Sequence, residues 1–317
     1  MPAPTGSRIA SLGHYQPAQV VTNDDLARII DTNDAWIRDR VGIAARRVAD
    51  AESVADMAAA AADKALAGSG LTAGDIDLVI VATCSSMDRC PNVATRVANR
   101  LGITAPGAFD VNTACSGFSY ALATADHAIR AGASRHALVV GSEKLSDITD
   151  WTDRTTSVLF GDGAGAAVLS PTADGEAPGI GPVVWGSAPE KGDVLRIEGW
   201  RPYIKQEGQA VFRWATTALA PLAVEACERA GIAPADLAAF VPHQANTRII
   251  DGIAKRLGAV NAVIAKDIVE SGNTSAASVP LALSKLVERR EVPSGAPVLL
   301  FGFGGGLTYA GQVVRCP

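Results

Sequence analysis

The chain has 317 residues, 48% of them apolar, 19% charged and 5% aromatic, with a formal net charge of −5. This composition predicts a soluble globular protein with room for two domains or one two-lobed unit. The acidic balance argues against general nucleic-acid binding, which draws most of its affinity from cationic contacts to phosphate.

The opening MPAPTGSRIASLG lacks the apolar core of a signal peptide, and no run reaches the ~20 apolar residues of a membrane span, so a cytoplasmic location is expected. Residues 68–83, GSGLTAGDIDLVIVAT, predict a helix end, a turn and a buried strand. Residues 109–132 predict a strand, a small-residue turn and a helix, followed by the apolar strand HALVVGSE (136–143) and a Gly-rich strand, GDGAGAAVLS. The Gly- and Pro-rich segment 170–210 is expected to connect two halves and to accommodate a hairpin. The order then recurs. Residues 229–243 match the first unit at a shift of 161 (231 − 70), and 266–290 match the strand–turn–helix unit at a shift near 157 (266 − 109). The strand PVLLFGFG (297–304) and GGGLTYAGQVVR complete the second copy. Boundaries at 1–170 and 171–317 follow, with helices covering both faces of two related, mostly parallel sheets: a layered α/β protein.

Five scattered cysteines, Cys84, Cys90, Cys115, Cys227 and Cys316, form no CxxC pair, and the four histidines are not grouped with them. Neither a disulfide framework nor a metal site is expected. Cys115 stands out by its surroundings. It lies where a strand gives way to a helix, facing unpaired N–H groups and the positive end of the helix dipole, which favour thiolate. On this turn alone, a buried structural cysteine is an equally good reading. His243 ends an apolar strand, where open α/β sheets bind ligands. Asn273 opens the helix that matches the one after Cys115; taken singly it reads as an N-cap, but the repeat sets it at a corner equivalent to that of Cys115. The run Phe303-Gly304-Gly305-Gly306 follows a strand and lets backbone N–H groups approach a ligand, so those of Cys115 and Gly305 could form an oxyanion hole. Asp162, Gly163 and Gly165 read as backbone support, since GxG with no helix after it is a weak nucleotide signal.

Together TACSGF (113–118), FGDGAGA (160–166), VPHQAN (241–246), GNTSAAS (272–278) and FGGG (303–306) resemble the thiolase-fold condensing enzymes, above all β-ketoacyl-acyl-carrier-protein synthase III. The resemblance runs from DTNDAWIRDRVGI (31–43) nearly to the end. It implies a thiolase-like fold of two pseudo-symmetric halves layered α-β-α-β-α, a homodimer, and a Cys115–His243–Asn273 triad. It further implies that Trp36 and Arg154 hold the adenine of coenzyme A, with Arg40 near its phosphates. Gly208, Phe212 and Asn246 would line the pantetheine tunnel. Gln244, Ala245, Asn246, Thr247 and Arg248 would dock the acyl carrier protein, with Arg213, Lys255 and Arg256 nearby. Independently, Arg248, Lys255 and Arg256 fall on one predicted helix, a basic patch able to steer an acidic carrier.

The chemistry implied is transfer of an acyl group from acyl-coenzyme A to Cys115, then decarboxylative condensation with malonyl-carrier protein, with no metal or redox cofactor. A polyketide-priming ketosynthase is the alternative of the same class. Many members close the acyl pocket with an aromatic residue, apparently from the partner subunit, where this sequence has Cys90 before Pro91. The smaller side chain suggests a deeper pocket for branched or longer starters.

Overall fold

The structure is a computed structural model that describes residues 5–173, 175–199 and 203–317. Two five-stranded sheets organise it. In the first, Ser7–Tyr15 lies at one edge, followed by Gly163–Pro171, Ala137–Glu143, Leu78–Ala82 and the opposite edge Gly107–Val111. In the second the order is Val263–Ile264, Ala239–Pro242, Pro297–Gly304, Thr308–Arg315 and Val184–Gly186. The first sheet thus draws on residues 7–171 and the second on 184–315.

Each sheet has a parallel portion of three strands and an antiparallel portion. Parallel pairings were expected to predominate; instead the two kinds are equal. Connection length is one cause: only Gly305–Leu307 separates Pro297–Gly304 from Thr308–Arg315, far too little for the crossover that parallel strands require.

The period-2 alternation of the strands sorts their side chains between layers. In Leu78–Ala82, Leu78, Ile80 and Ala82 face a central core, while Val79 and Val81 face an outer one. The helices Gly117–Arg130 and Ser278–Glu288 fill the layer between the sheets, packing Phe118, Leu122 and Leu283 against Val139, Val241 and Leu300. Val54–Ser69 and Val93–Arg100 cover the outside of the first sheet; Gly208–Arg229 and Thr247–Leu257 cover the second. Alanine sets the spacing. Ala58, Ala61, Ala62 and Ala65 bury one face of Val54–Ser69, and Gly13 comes so close that an added Cβ would lie 2.2 Å from the Ala61 carbonyl.

The internal repeat holds to one offset across the central elements. The interlayer helices begin 161 positions apart (278 − 117), as do the leading parallel strands (239 − 78). The expected shift near 157 for the strand–turn–helix unit is therefore corrected to 161, the longer 266–275 lead-in having displaced the sequence match. Segment 170–210 contains the edge strand Val184–Gly186 and an antiparallel ladder of Leu195–Arg196 with Lys205–Gln206; residues 174 and 200–202 lie outside the described residues.

Candidate active site

Cys115 sits in a single 3-10 turn, Ala114–Ser116, between the strand Gly107–Val111 and the helix Gly117–Arg130. Ala114 adopts φ +46°, a left-handed conformation costly for a residue with a Cβ. In the second half Ser275 takes the same φ, +46°, at the start of the matching turn Ser275–Ala277. The offset of 161 pairs Asn273 with Asn112 (273 − 112), three residues ahead of Cys115. Each asparagine accepts from the N–H two residues on: Ala114 N to Asn112 Oδ1 is 3.3 Å and Ser275 N to Asn273 Oδ1 is 2.8 Å.

Two glycines let these turns meet at the centre of the molecule. A Cβ on Gly141 would lie 2.3 Å from the Ala276 carbonyl, and one on Gly302 would lie 2.9 Å from Ser116 Cα. The strand Ala137–Glu143 is thereby pressed against the second-half turn, and Pro297–Gly304 against the turn of Cys115.

One cavity of about 590 Å³ reaches this centre. It is lined by Cys115, His243, Asn273 and Gly304 at its depth, and by Trp36, Arg40, Gly208, Phe212, Arg213, Ala245, Asn246 and Arg248 among others. His243 is 2% exposed. Burial drives its pKa down to about 3, so the imidazole is neutral. Its Nδ1 lies 2.7 Å from Ser278 Oγ, and its ring stands edge-on to Phe303. Asn273 is held by its backbone as well, donating to the Leu159 carbonyl (2.9 Å) and accepting from Gly161 N–H (3.0 Å).

The surroundings of Cys115 correct one expectation. The thiol is 7% exposed, and burial pushes its pKa up to about 11 despite the donor-rich turn. The Ser275 hydroxyl and the N–H groups of Gly305 and of Cys115 itself oppose that rise, while Glu143 adds to it. Desolvation outweighs the helix terminus because the sulfur is enclosed. Gly304 forms part of the enclosure: its Cβ, if present, would lie 2.5 Å from Cys115 Cβ and 2.7 Å from Sγ.

The other sequence-derived positions divide. Arg154 does not line the cavity; its guanidinium stacks 4.3 Å from the centre of the Trp36 ring. Arg248 lies over Phe212 at 5.4 Å. Asn246 caps the helix Thr247–Leu257, accepts from Arg248 N–H and donates to the Arg40 carbonyl (2.9 Å). Thr247 bonds the Val41 carbonyl. Lys255 and Arg256 are exposed farther along that helix. Gln244 requires a correction. It is 1% exposed, its amide donates to the Pro242 and Ala265 carbonyls and accepts from Ile268 N–H, and so it offers a carrier no surface. Cys90 is exposed and does not line the cavity. Asp162 supports backbone as expected, accepting from Ala49 N–H and from Ser146. Sequence reasoning passed over Ser278, Ser275 and Glu143. The last ends the apolar strand HALVVGSE, and a carboxylate there was the available signal.

The two related five-stranded sheets with helices between and outside them define a thiolase-like fold, and a thiol, a neutral imidazole and a carboxamide line a central cavity. Comparison with known proteins agrees. Residues 109–189 match the family model for 3-oxoacyl-[acyl-carrier-protein] synthase III, and residues 227–316 match the model of its C-terminal part. β-Ketoacyl-[acyl-carrier-protein] synthase III 4 of Streptomyces coelicolor is 64% identical over 98% of this chain and 99% of its own; synthase III 2 of Streptomyces avermitilis is equally similar. Among solved structures, the priming β-ketosynthase of the R1128 polyketide pathway superposes with a TM-score of 0.97 at 43% identity, covering 100% of this chain and 98% of that one. The synthase III of Aquifex aeolicus gives 0.93 at 38% identity, covering 98% and 100%. The chain belongs to the β-ketoacyl-acyl-carrier-protein synthase III family.

Proposed function

We propose that the protein takes an acyl group from acyl-coenzyme A onto Cys115 and condenses it with malonyl-acyl carrier protein. The products are 3-oxoacyl-carrier protein, coenzyme A and carbon dioxide, and the reaction starts fatty-acid synthesis. The Cys115 thiol gives up its proton as Sγ attacks the thioester carbonyl, the bond to the coenzyme A sulfur breaks, and coenzyme A takes up a proton and leaves as its thiol. The oxyanion is held by the N–H groups of Cys115 and Gly305, each worth ~3 kcal/mol by analogy with protease oxyanion holes. Malonyl-carrier protein then enters the same cavity. His243 Nε2–H and Asn273 Nδ2–H donate to its thioester carbonyl as carbon dioxide departs, and the carbanion attacks the acyl-Cys115 carbonyl, expelling the sulfur.

The hydrogen bonds made by the other atoms of the two side chains carry this reading. Asn273 lines the cavity with its Oδ1 taken by Ser275 N–H, so Nδ2 is the side-chain group left to donate to a substrate. Gln244 N–H approaches Ser278 Oγ at 3.4 Å, so the hydroxyl proton is free to point at His243 Nδ1 and leave the proton of the neutral ring on Nε2. Every bond change is met by these groups and the substrates, without metal or redox cofactor. Trp36, Arg154 and Arg40 are assigned to the nucleotide of coenzyme A, Gly208, Phe212 and Asn246 to its pantetheine arm. Ala245, Asn246, Thr247, Arg248, Arg213, Lys255 and Arg256 are assigned to the carrier protein. Among the described residues no helix is long and apolar enough to cross a membrane; with five free cysteines, the cytoplasm is the compartment proposed.

We assign the dimer to the edge strand Gly107–Val111, on which Phe109 is exposed. The Cys90 segment is tied to that edge, Asn92 Nδ2 donating to the Ala108 carbonyl at 3.1 Å. A second copy there would carry Cys90 toward its partner's acyl pocket, and the small side chain would admit branched or longer starters.

Cys115→Ser abolishes acyl transfer in this scheme, while His243→Ala and Asn273→Ala impair decarboxylation more than acylation. Condensation by Cys115→Ala would sink it. Competition among acetyl-, isobutyryl- and hexanoyl-coenzyme A tests the pocket, and strict acetyl preference refutes the role given to Cys90. Likeness to the R1128 priming ketosynthase favours a second reading, the priming of a polyketide. Offering the enzyme malonyl groups on fatty-acid and polyketide carrier proteins separates the two.

A further inference from the structure

Glu143 is a carboxylate with no solvent exposure, at the end of the strand Ala137–Glu143. Among the described residues it makes no ion pair; Lys144 beside it bonds the Asp50 carbonyl and Asp147 instead. A buried charge of this kind is costly unless fully hydrogen-bonded. It is so bonded. The N–H groups of Cys84 (3.1 Å) and Ser85 (3.0 Å) and the hydroxyls of Thr83 (3.0 Å) and Ser85 donate to Oε2. The Cys84 thiol donates to Oε1 at 3.3 Å. Burial raises its pKa, and the Ser85 hydroxyl and Cys84 N–H oppose that rise; three of its contacts are fixed backbone donors, which suit an ionised acceptor.

The remaining backbone donor is the informative one. Ala276 N–H reaches Glu143 Oε1 at 3.4 Å across the two halves of the molecule. Ala276 follows Ser275, whose left-handed backbone must be held in place by its neighbours. Ser275 N–H orients the Asn273 carboxamide, and its hydroxyl, 3.6 Å from Cys84 Sγ, opposes the rise that burial imposes on the pKa of Cys115. The titratable groups facing the carboxylate are thus Cys84 and Cys115.

We propose that Glu143 is a positioning residue for the condensation, anchoring the 273–276 turn so that Asn273 and Ser275 are aimed at the substrate carbonyl and at Cys115 Sγ. This rests on the roles proposed above for Cys115 and Asn273.

Glu143→Gln keeps the shape, removes the charge and turns an NH₂ group toward N–H donors. Single-turnover release of carbon dioxide by pre-acylated enzyme should fall about tenfold, the effect of one misaligned hydrogen bond in the transition state. The KM for malonyl-carrier protein should change less than about twofold. Removing a negative charge near the sulfur should also move the pH profile of Cys115 alkylation by iodoacetamide to lower pH, a readout that simple loss of packing would leave in place. An unchanged turnover overturns the proposal, and so does a turnover that falls only with the folded fraction while the alkylation profile stays put. If Glu143→Gln does not fold, Ser85→Ala removes one donor and retains the charge: turnover falling about threefold supports the anchor, and unchanged turnover overturns it. Failure of wild-type Cys115 to become acylated would count against the underlying roles rather than against Glu143.

Discussion

Substituting Gly304 by alanine tests whether the enclosure of the nucleophile governs the first half-reaction. Gly304 has φ 167°, extended backbone open to any residue, so the added methyl brings no conformational penalty of its own. Its cost is contact. The new carbon would lie 2.5 Å from Cys115 Cβ and 2.7 Å from Sγ, where unstrained heavy-atom contacts begin near ~3.5 Å. Relief requires about 1 Å of movement by the sulfur or the strand. Overpacking of this size costs about 1–3 kcal/mol of stability, and misplacing a reacting atom by about 1 Å slows the step on the order of 10²-fold. Stopped-flow release of coenzyme A with saturating acyl-coenzyme A reads the step directly, with melting temperature measured alongside. Gly306→Ala is the control. Its φ of +70° carries a left-handed cost, but its methyl would meet only Thr308 Cγ2 at 3.4 Å, so it should lose stability while retaining acylation far better. Wild-type acylation by Gly304→Ala would refute the reasoning, as would equal acylation losses in both variants.

Three further outcomes follow from the site. Ser278→Ala frees His243 Nδ1 to carry the proton; decarboxylation should drop about tenfold with KM little changed, and a normal rate would show that Ser278 does not select the tautomer. Trp36→Ala removes the face on which Arg154 stacks and should raise the KM for acyl-coenzyme A about tenfold without affecting that for malonyl-carrier protein, as steady-state kinetics with each substrate varied will tell. His243 is held neutral when folded but is protonated below about pH 6.5 when unfolded. The unfolded state therefore binds the extra proton, and stability should decline as pH falls from about 6.5 toward about 3; denaturation of wild type and His243→Ala across that range should show a difference that narrows with acidity.

Much of the architecture was legible because it is written in short periodic patterns. Alternating apolar strands, Gly-marked turns and the recurrence of Gly70-Leu71 as Gly231-Ile232 placed most of the central elements. Cys115, His243 and Asn273 stand out in the sequence by residue type at strand and helix ends, and the structure sets all three in the lining of one cavity. Their protonation was not legible. Thiolate was favoured for Cys115 from its local turn, whereas the buried thiol depends on Gly304 and on the opposite half, both remote in sequence. Gln244 falls within the run expected to dock a carrier, yet its amide bridges the Pro242 and Ala265 carbonyls, which lie at and just beyond the ends of two paired parallel strands. The Arg154–Trp36 stack likewise joins residues 118 positions apart (154 − 36).

The constant offset of the repeat has a chemical consequence. It aligns Cys115 with Ala276, His243 with Ala82 and Glu143 with Gly304. At these three positions the counterpart carries a methyl or only hydrogen, whereas Asn273 is matched by its own kind, Asn112. A scaffold of twofold design could in principle house two opposed reaction centres, competing for the same interior space. Here the second lacks its thiol and its imidazole, and its vacated corner supports the first.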